Sequence, residues 1–277
     1  MTKVRIDTLL VERGLIESRA LAQRMIMAGQ VRVNDQVILK PAALIPPDAE
    51  LNVAIGPAYV SRGGEKLAAA LEHFPIIVRG KVCADVGAST GGFTDCMLQY
   101  GAQKVYAIDV GRGILHWKLR QDPRVVVMER TNARHLTQLP EPIDLVTIDA
   151  SFISLKVLLP VSRAWLKSDG AEVIALIKPQ FEAGKEAAAR GEGVIRDPQL
   201  HRQILNDILN YSVQQGFAVK GLLRSPLLGP KGNSEFLTWL GVPETAPPPL
   251  EQMIDQVAPL TGQTHLNSPS ERNRTEP

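Results

Sequence analysis

The stretch "VIALIKPQFE" carries an apolar series from Val173 into Lys178, a long cation with a proline directly behind it. A lysine in that place can lay its stem over apolar surface and send its ammonium to water. It can also be an amine kept at a sheet edge to exchange a proton with a substrate. Two carboxylates occupy comparable positions: Asp149 closes "IDLVTIDA" and Glu235 opens "EFLTWLGV". A second lysine, Lys66, lies in "SRGGEKLAAALEHF", a helical pattern just before the first strand-like run. Ligands of open parallel sheets sit outside the carboxyl ends of the strands, and an antiparallel closing strand begins at that same edge. The four charges are therefore expected to converge. Two amines and two carboxylates together can orient a hydroxyl and exchange its proton.

A second constellation is the turn "ADVGASTGGFTD", with Asp85, Gly87, Ser89, Thr90, Gly91, Gly92 and Phe93. Glycines after a strand let backbone approach a ligand closely, and the helix N-terminus that follows favours polar or anionic groups. A dinucleotide fingerprint needs a glycine where Ser89 stands, and a Walker loop needs a Gly-Lys-Ser/Thr ending that is absent. Asp109 ends the next run about 20 residues on, the usual reach of a carboxylate to ribose hydroxyls. Asn132, in "ERTNAR" after the third run, can hydrogen-bond an adenine edge. Ribose and adenine without a pyrophosphate describe S-adenosyl-L-methionine, with Asp85 facing its amino group or sulfonium. That set indicates a methyltransferase. Carbon methylation of a pyrimidine uses a cysteine near the end of the fourth run, and Cys83 and Cys96 lie elsewhere. Methylation of exocyclic nitrogens commonly uses an Asp/Asn-Pro-Pro-aromatic turn, whereas the turn here is "DASF". A hydroxyl remains as the acceptor, and the set calls for no metal.

These residues need a frame. "KVCADVG", "KVYAIDV", "VVVMER", "IDLVTIDA" and "AEVIALIKP" are short apolar runs spaced to leave room for helices, the pattern of a parallel sheet covered on both faces. "FAVKGLLRSP" and "EFLTWLGV" follow with only a loop between them, which predicts a closing antiparallel pair. Before them, "RIDTLLVERG" and the residues from Ser18 to Gly29 read as two helices, and "QVRVN" and "QVILK" as a hairpin around Asn34 and Asp35. Arg19, Gln23 and Arg24 share one face of the second helix, opposite Leu21 and Met25. The expected class is α/β: a Rossmann-like, class I methyltransferase sheet, mostly parallel with its last strand antiparallel, preceded by a small α+β domain. The expected limits are residues 1–55 for the first domain, 56–65 for a linker, 66–243 for the second domain and 244–277 for a disordered tail. With 44% hydrophobic and 22% charged residues and a net charge of +2, composition alone announces no nucleic-acid partner. The charged start is not a secretion signal, and no run of roughly 18 apolar residues is present. The expected location is the cytoplasm, with both cysteines as small core residues.

Over nearly its whole length, "RIDTLLVERGLIESRALAQRMIMAGQVRVNDQVILKP" resembles the RNA-binding module named after ribosomal small-subunit protein four. That resemblance implies RNA contacts from Arg5, Arg19, Arg24 and Lys40, with Arg62 as a further one beyond the module. From Lys3 to about Val242 the chain is similar to the TlyA family, also called hemolysin A, which joins such a module to an FtsJ-like domain. The similarity rests on "SRGGEKL", "ADVGASTGGFTD", "IDLVTIDASFISL", "LIKPQFE" and "GNSEFL". It implies a Lys-Asp-Lys-Glu tetrad of Lys66, Asp149, Lys178 and Glu235 and S-adenosylmethionine as cofactor. It also implies methylation of a ribose 2′-hydroxyl, with ribosomal RNA or assembled ribosomal subunits as partner. Lys178 would take the hydroxyl proton and Asp149 would orient Lys178, while Lys66 and Glu235 hold the ribose in line with the methyl donor. Two other classes compete. A membrane-active cytolysin, the sense of the older name, needs spanning or strongly amphipathic segments. An RNA-binding protein with an inactive methyltransferase fold is the other, and the complete tetrad argues against it.

Overall fold

The computed structural model describes residues 3–27, 29–53, 57–184, 193–242 and 249–260, and the chain divides into two compact units, Met1–Ala58 and Tyr59–Pro277. Expectations that fall on residues 54–56, 243–248 and 261–277 lie outside the described residues.

In the first unit β1 (Val4–Arg5) leads into α1 (Ile6–Glu12), and α2 (Arg19–Met27) follows with Ser18 Oγ accepting from the Leu21 N–H at 3.3 Å. Helical spacing puts Ile6, Leu9 and Leu10 of α1 and Ala22 and Ile26 of α2 on facing stripes, which bury a small core. β2 (Val31–Val33) and β3 (Gln36–Val37) pair across Asn34 and Asp35, which adopt φ 47° and 64°. Two left-handed central residues make the primed turn that matches strand twist, and Asn and Asp tolerate it without glycine. β4 (Leu44–Ile45) pairs with β1, and β5 (Leu51–Val53) pairs with β2.

The second unit opens with α3 (Gly63–His73), followed by β6 (Val82–Val86), α4 (Gly92–Gln99) and β7 (Lys104–Ile108). Next come α5 (Trp117–Arg120), β8 (Val125–Met128), β9 (Leu145–Ile148), α6 (Leu155–Trp165) and β10 (Glu172–Ile177). The described elements end with α7 (Pro179–Glu182), α8 (Pro198–Gln214), β11 (Ala218–Arg224), β12 (Phe236–Gly241) and α9 (Leu250–Val257). The strands form one sheet in the order β11-β12-β10-β9-β6-β7-β8, and only β12 runs antiparallel to its neighbours. Every residue of β6, β9 and β10 is buried, as a sheet covered on both faces requires. Leu67 of α3, Met97 of α4 and Leu119 of α5 pack one face, while Leu159 of α6, Leu205 of α8 and Ile254 of α9 pack the other. Among the described residues no helix is long and apolar enough to cross a membrane.

Two expectations are corrected. The segment read as a linker to residue 65 already contains the first turn of α3. Its glycines are there for contact: a Cβ on Gly64 would overlap the Tyr59 side chain. The stretch after residue 243 is not wholly an unpacked tail. Leu250, Met253, Ile254 and Val257 fall at helical spacing in α9, and Ile254 is buried in the core. Arg202 of α8 anchors this helix through Asp255 (2.6 Å) and the Ala258 carbonyl (3.2 Å).

Candidate active site

The carboxyl ends of β6, β7, β9 and β10 and the start of β12 meet along one edge of the sheet. Just past β6, Gly87 takes φ 83°, and a Cβ there would come within 2.8 Å of the Asp149 carbonyl oxygen. Glycine is what lets the two strand ends abut. Ser89 follows at φ 49°, and its N–H donates to Asp109 Oδ2 (2.8 Å) while the Gly111 N–H donates to Oδ1 (2.7 Å). Two backbone amides thus fix the carboxylate that ends β7. A cavity of about 510 Å³ lies against these groups, lined by Gly87, Ser89, Asp109 and Asn132 and walled by Ile108, Ile114 and Leu158. Asn132, which lines the cavity, caps a single helical turn, its Oδ1 accepting from the Arg134 N–H at 3.1 Å. Thr90, Gly92 and Phe93 line an adjoining space of about 420 Å³ together with Arg62, Lys66 and Lys178. Gly91 lines neither space. It caps α4 at φ 98°, where a Cβ would fall inside the Leu119 side chain.

Asp85 departs from its expected place. It is fully buried, and neither cavity is lined by it. Thr94 Oγ1 donates to its Oδ2 at 2.6 Å and Thr147 Oγ1 to its Oδ1 at 3.1 Å. It therefore ties β6 to α4 and β9 beneath the glycine turn instead of facing an amino group or a sulfonium. Burial, the largest effect, pushes its carboxyl up to about 7 against the two hydroxyl hydrogen bonds.

Lys66, Asp149, Lys178 and Glu235 come together as two ion pairs that line one cavity of about 810 Å³. Lys66 Nζ lies 2.5 Å from Glu235 Oε2, and Lys178 Nζ lies 2.6 Å from Asp149 Oδ1. Lys66, Lys178 and Glu235 are 9%, 8% and 1% exposed, so both pairs are shielded from bulk water. The hydrogen bonds of the Lys178 ammonium go to Ser151 Oγ (3.1 Å) and the Asp149 carbonyl (3.5 Å). Asp149 Oδ1 consequently has a close counter-charge but no aligned donor. Gln180 Nε2 donates to the other oxygen of Glu235 at 3.5 Å. Neither Ser151 nor Gln180 was marked by the sequence pattern, although both stand within two residues of a charge that was. Phe152 is also new: it is 90% exposed, holds φ 64°, and sets its ring 4.9 Å from that of Phe181. A bulky residue at positive φ beside reacting groups is a strained position of the kind that clusters at functional sites.

In the first unit the expected RNA contacts divide in two. Arg5 donates from Nε and Nη2 to the two oxygens of Asp7 (2.9 and 2.8 Å), and Arg19 Nε (3.1 Å) and Gln23 Nε2 (2.9 Å) reach Asp7 Oδ2. Asp7 is fully buried, and the Arg5 guanidinium holds its carboxyl well below the usual carboxylate range. Arg5 and Arg19 are thus fixed in direction while their side chains stay 41% and 55% exposed. Arg24 and Lys40 are exposed and make no ion pair among the described residues. Asp7 itself was not legible as an anchor, because nothing in "RIDTLL" says that its side chain turns inward.

Comparison with known proteins agrees with this division. The FtsJ-like methyltransferase model matches residues 59–242, and the S4 domain model matches residues 4–51. The 16S/23S rRNA (cytidine-2′-O)-methyltransferase TlyA of Mycobacterium tuberculosis is 47% identical over 244 residues, 86% of this chain and 90% of that one. Hemolysin A of Brachyspira hyodysenteriae is 41% identical over 238 residues, 84% of this chain and 98% of its own. A solved structure from Streptococcus thermophilus, described as a hemolysin, covers 92% of this chain and 96% of that chain at 43% identity, with a TM-score of 0.68. With an S4 domain followed by an FtsJ-like methyltransferase domain, and with relatives this similar over most of both lengths, the chain belongs to the TlyA (hemolysin A) family.

Proposed function

We propose that this chain transfers a methyl group from S-adenosyl-L-methionine to a ribose 2′-hydroxyl of ribosomal RNA. The observation that carries this reading is the pair of shielded lysine–carboxylate contacts, Lys66–Glu235 and Lys178–Asp149, in a cavity that shares Asp149 with the glycine-turn cavity. The TlyA relative is described as acting on the 2′-oxygen of cytidine in 16S and 23S rRNA, which is the chemistry such a constellation suits. When bound, the cofactor supplies a methyl group on a positively charged sulfur. The residues present fit it: the close approach at Gly87 leaves room along the backbone, Asp109 keeps lone pairs for ribose hydroxyls, and Asn132 stands ready for an adenine edge. At the acceptor, Lys178 takes the proton of the 2′-hydroxyl, and Asp149 orients the Lys178 side chain. Lys66 and Glu235 hold the neighbouring ribose oxygens, and fixing the sugar in line accounts for much of the lowered barrier.

The test is transfer of labelled methyl to isolated ribosomal subunits, with the labelled nucleotide mapped. Lys178→Ala is expected to keep cofactor affinity and lose at least ~10²-fold in rate, the scale of a missing general base. Lys178→Arg should not restore the rate, because a guanidinium stays charged and takes no proton. Absence of label in ribosomal RNA from the wild type would overturn the assignment, and near-normal turnover by the arginine variant would remove the proton-acceptor role.

A further inference from the structure

A fourth cavity, of about 280 Å³, opens on the far side of the loop that leads into β12. Arg196, Arg224, His201 and Ser234 line it, and among the described residues its wall contains no carboxylate. Arg224 ends β11 and donates from Nη2 to Ser234 Oγ at 2.8 Å, which points the guanidinium along the wall. Neither arginine makes an ion pair among the described residues. The nearest acid in sequence, Asp197, caps α8 by accepting from the Gln199 N–H at 2.9 Å. Two arginines on one concave wall without a counter-charge repel each other until an anion enters between them, and a planar guanidinium matches a phosphate oxygen pair.

The position of this cavity gives it a purpose. Asn233, 2% exposed, forms the partition: its Oδ1 accepts from the Ile195 N–H (2.9 Å) and its Nδ2 donates to the Gly193 carbonyl (2.8 Å). Gly193, Asn233 and Glu235 line the cavity that holds the two lysine–carboxylate pairs, while Ile195, Gly232 and Ser234 line the basic one. Ser234 and Glu235 are consecutive, so their Cα atoms are only about 3.8 Å apart. Glu235 lines one cavity and its neighbour Ser234, bonded to Arg224, lines the other, so the two cavities adjoin across this short segment. We infer that this cavity binds a phosphodiester of the substrate RNA immediately beside the nucleotide being methylated, an inference that rests on the function proposed above. His201 reports on the site. It is buried against Phe236 (5.6 Å between ring centres) with Nε2 3.0 Å from the Ile195 carbonyl. Burial first, and the Arg224 charge after it, lower its imidazole pKa despite that carbonyl and Asp197.

The test uses the full chain with both arginines replaced, Arg196→Ala and Arg224→Ala, two exposed positions whose loss leaves the core intact. RNA binding is read without cofactor as a function of salt, and methylation of ribosomal subunits is read separately. The double variant should raise KM for the RNA substrate roughly tenfold or more with kcat nearly unchanged. Cofactor affinity should stay the same, and the slope of log affinity against log salt should fall by about 1 to 2, the signature of lost phosphate contacts. An unchanged salt slope and KM would overturn the site, whereas failure of the wild type to methylate would count against the proposed activity and leave the binding result standing. Titration with inorganic phosphate, followed at the His201 imidazole by NMR, separates the remaining possibility. Phosphate that shifts His201 and competes with RNA supports the site, and phosphate that binds there without competing assigns the cavity to a free anion and sinks the RNA role.

Discussion

Asp85 and Asp149 are both acids at strand ends on this sheet, and their surroundings give them opposite tasks. Asp149 follows the last residue of β9 and meets an ammonium at 2.6 Å, whereas Asp85 lies one residue inside β6, where strand alternation turns it under α4 to two threonine hydroxyls. Asp85 is level with Thr147, two residues short of Asp149, so it sits inside the sheet while Asp149 stands at its edge, a difference that two acids each closing an apolar run do not reveal in the sequence. The convergence of Lys66, Asp149, Lys178 and Glu235 was legible because each is a charge abutting an apolar run, a conflict that packing alone would not create. Ser151 and Gln180 were not, because a neutral polar residue beside such a charge carries no conflict. Asp85 also sets a pH dependence. Its folded pKa, about 7, lies above that of an unfolded aspartate, so the native state binds the extra proton between the ordinary carboxylate range and about 7. Stability is then highest below that window and declines as pH rises through it. Asp85→Asn should therefore gain in melting temperature over the wild type by several degrees more at pH 8 than at pH 5. Parallel melting curves with the same gap at both pH values would show that Asp85 is ionised throughout.

Among the elements, α9 shows best what composition hides. The eight residues from Leu250 to Val257 carry a full apolar stripe, but they stand between a proline-rich run and a polar end, and the average over that window reads as unpacked. The helix exists because Ile254 fills a place among Ile204, Leu205 and the sheet. Ile254→Ala should cost about 2 to 5 kcal/mol, the range for truncating a buried isoleucine, and lower the melting temperature accordingly. A melting temperature equal to that of the wild type would mean that α9 adds nothing to the core. Val257 and Ala258 also wall the basic cavity, so the element that composition dismissed shapes one side of it. By contrast, the alternation of strands and helices, the antiparallel closing pair and the Asn34–Asp35 hairpin were all readable, since each depends on period and turn chemistry over a few residues. The place of β12 inside the sheet was not, because strand order depends on contacts far apart in sequence.

As a whole molecule, the chain holds separate cores in its two units, one built from α1, α2 and short strands and the other around the seven-stranded sheet. Every lining residue of the cofactor-side and tetrad cavities belongs to the second unit, and the Asp7-anchored arginines belong to the first. Removing residues 1–58 should therefore leave S-adenosylmethionine affinity within a few-fold while methylation of ribosomal subunits falls by at least about 10²-fold, because phosphate contacts position a protein on its nucleic acid. A truncated chain that modifies subunits as fast as the full one would strip the S4 domain of that role. The second unit also has an order of assembly written into it. Among the described residues β12 is the last strand, yet it lies between β10 and β11, and β11 pairs with no other strand described. A chain emerging N-terminus first exposes an open edge at β10, leaves β11 unpaired, and leaves Lys66 without the carboxylate 169 residues away. The edge that brings the four charges together is thus complete only once residues as far as Gly241 have been made and β12 has entered between two strands that precede it.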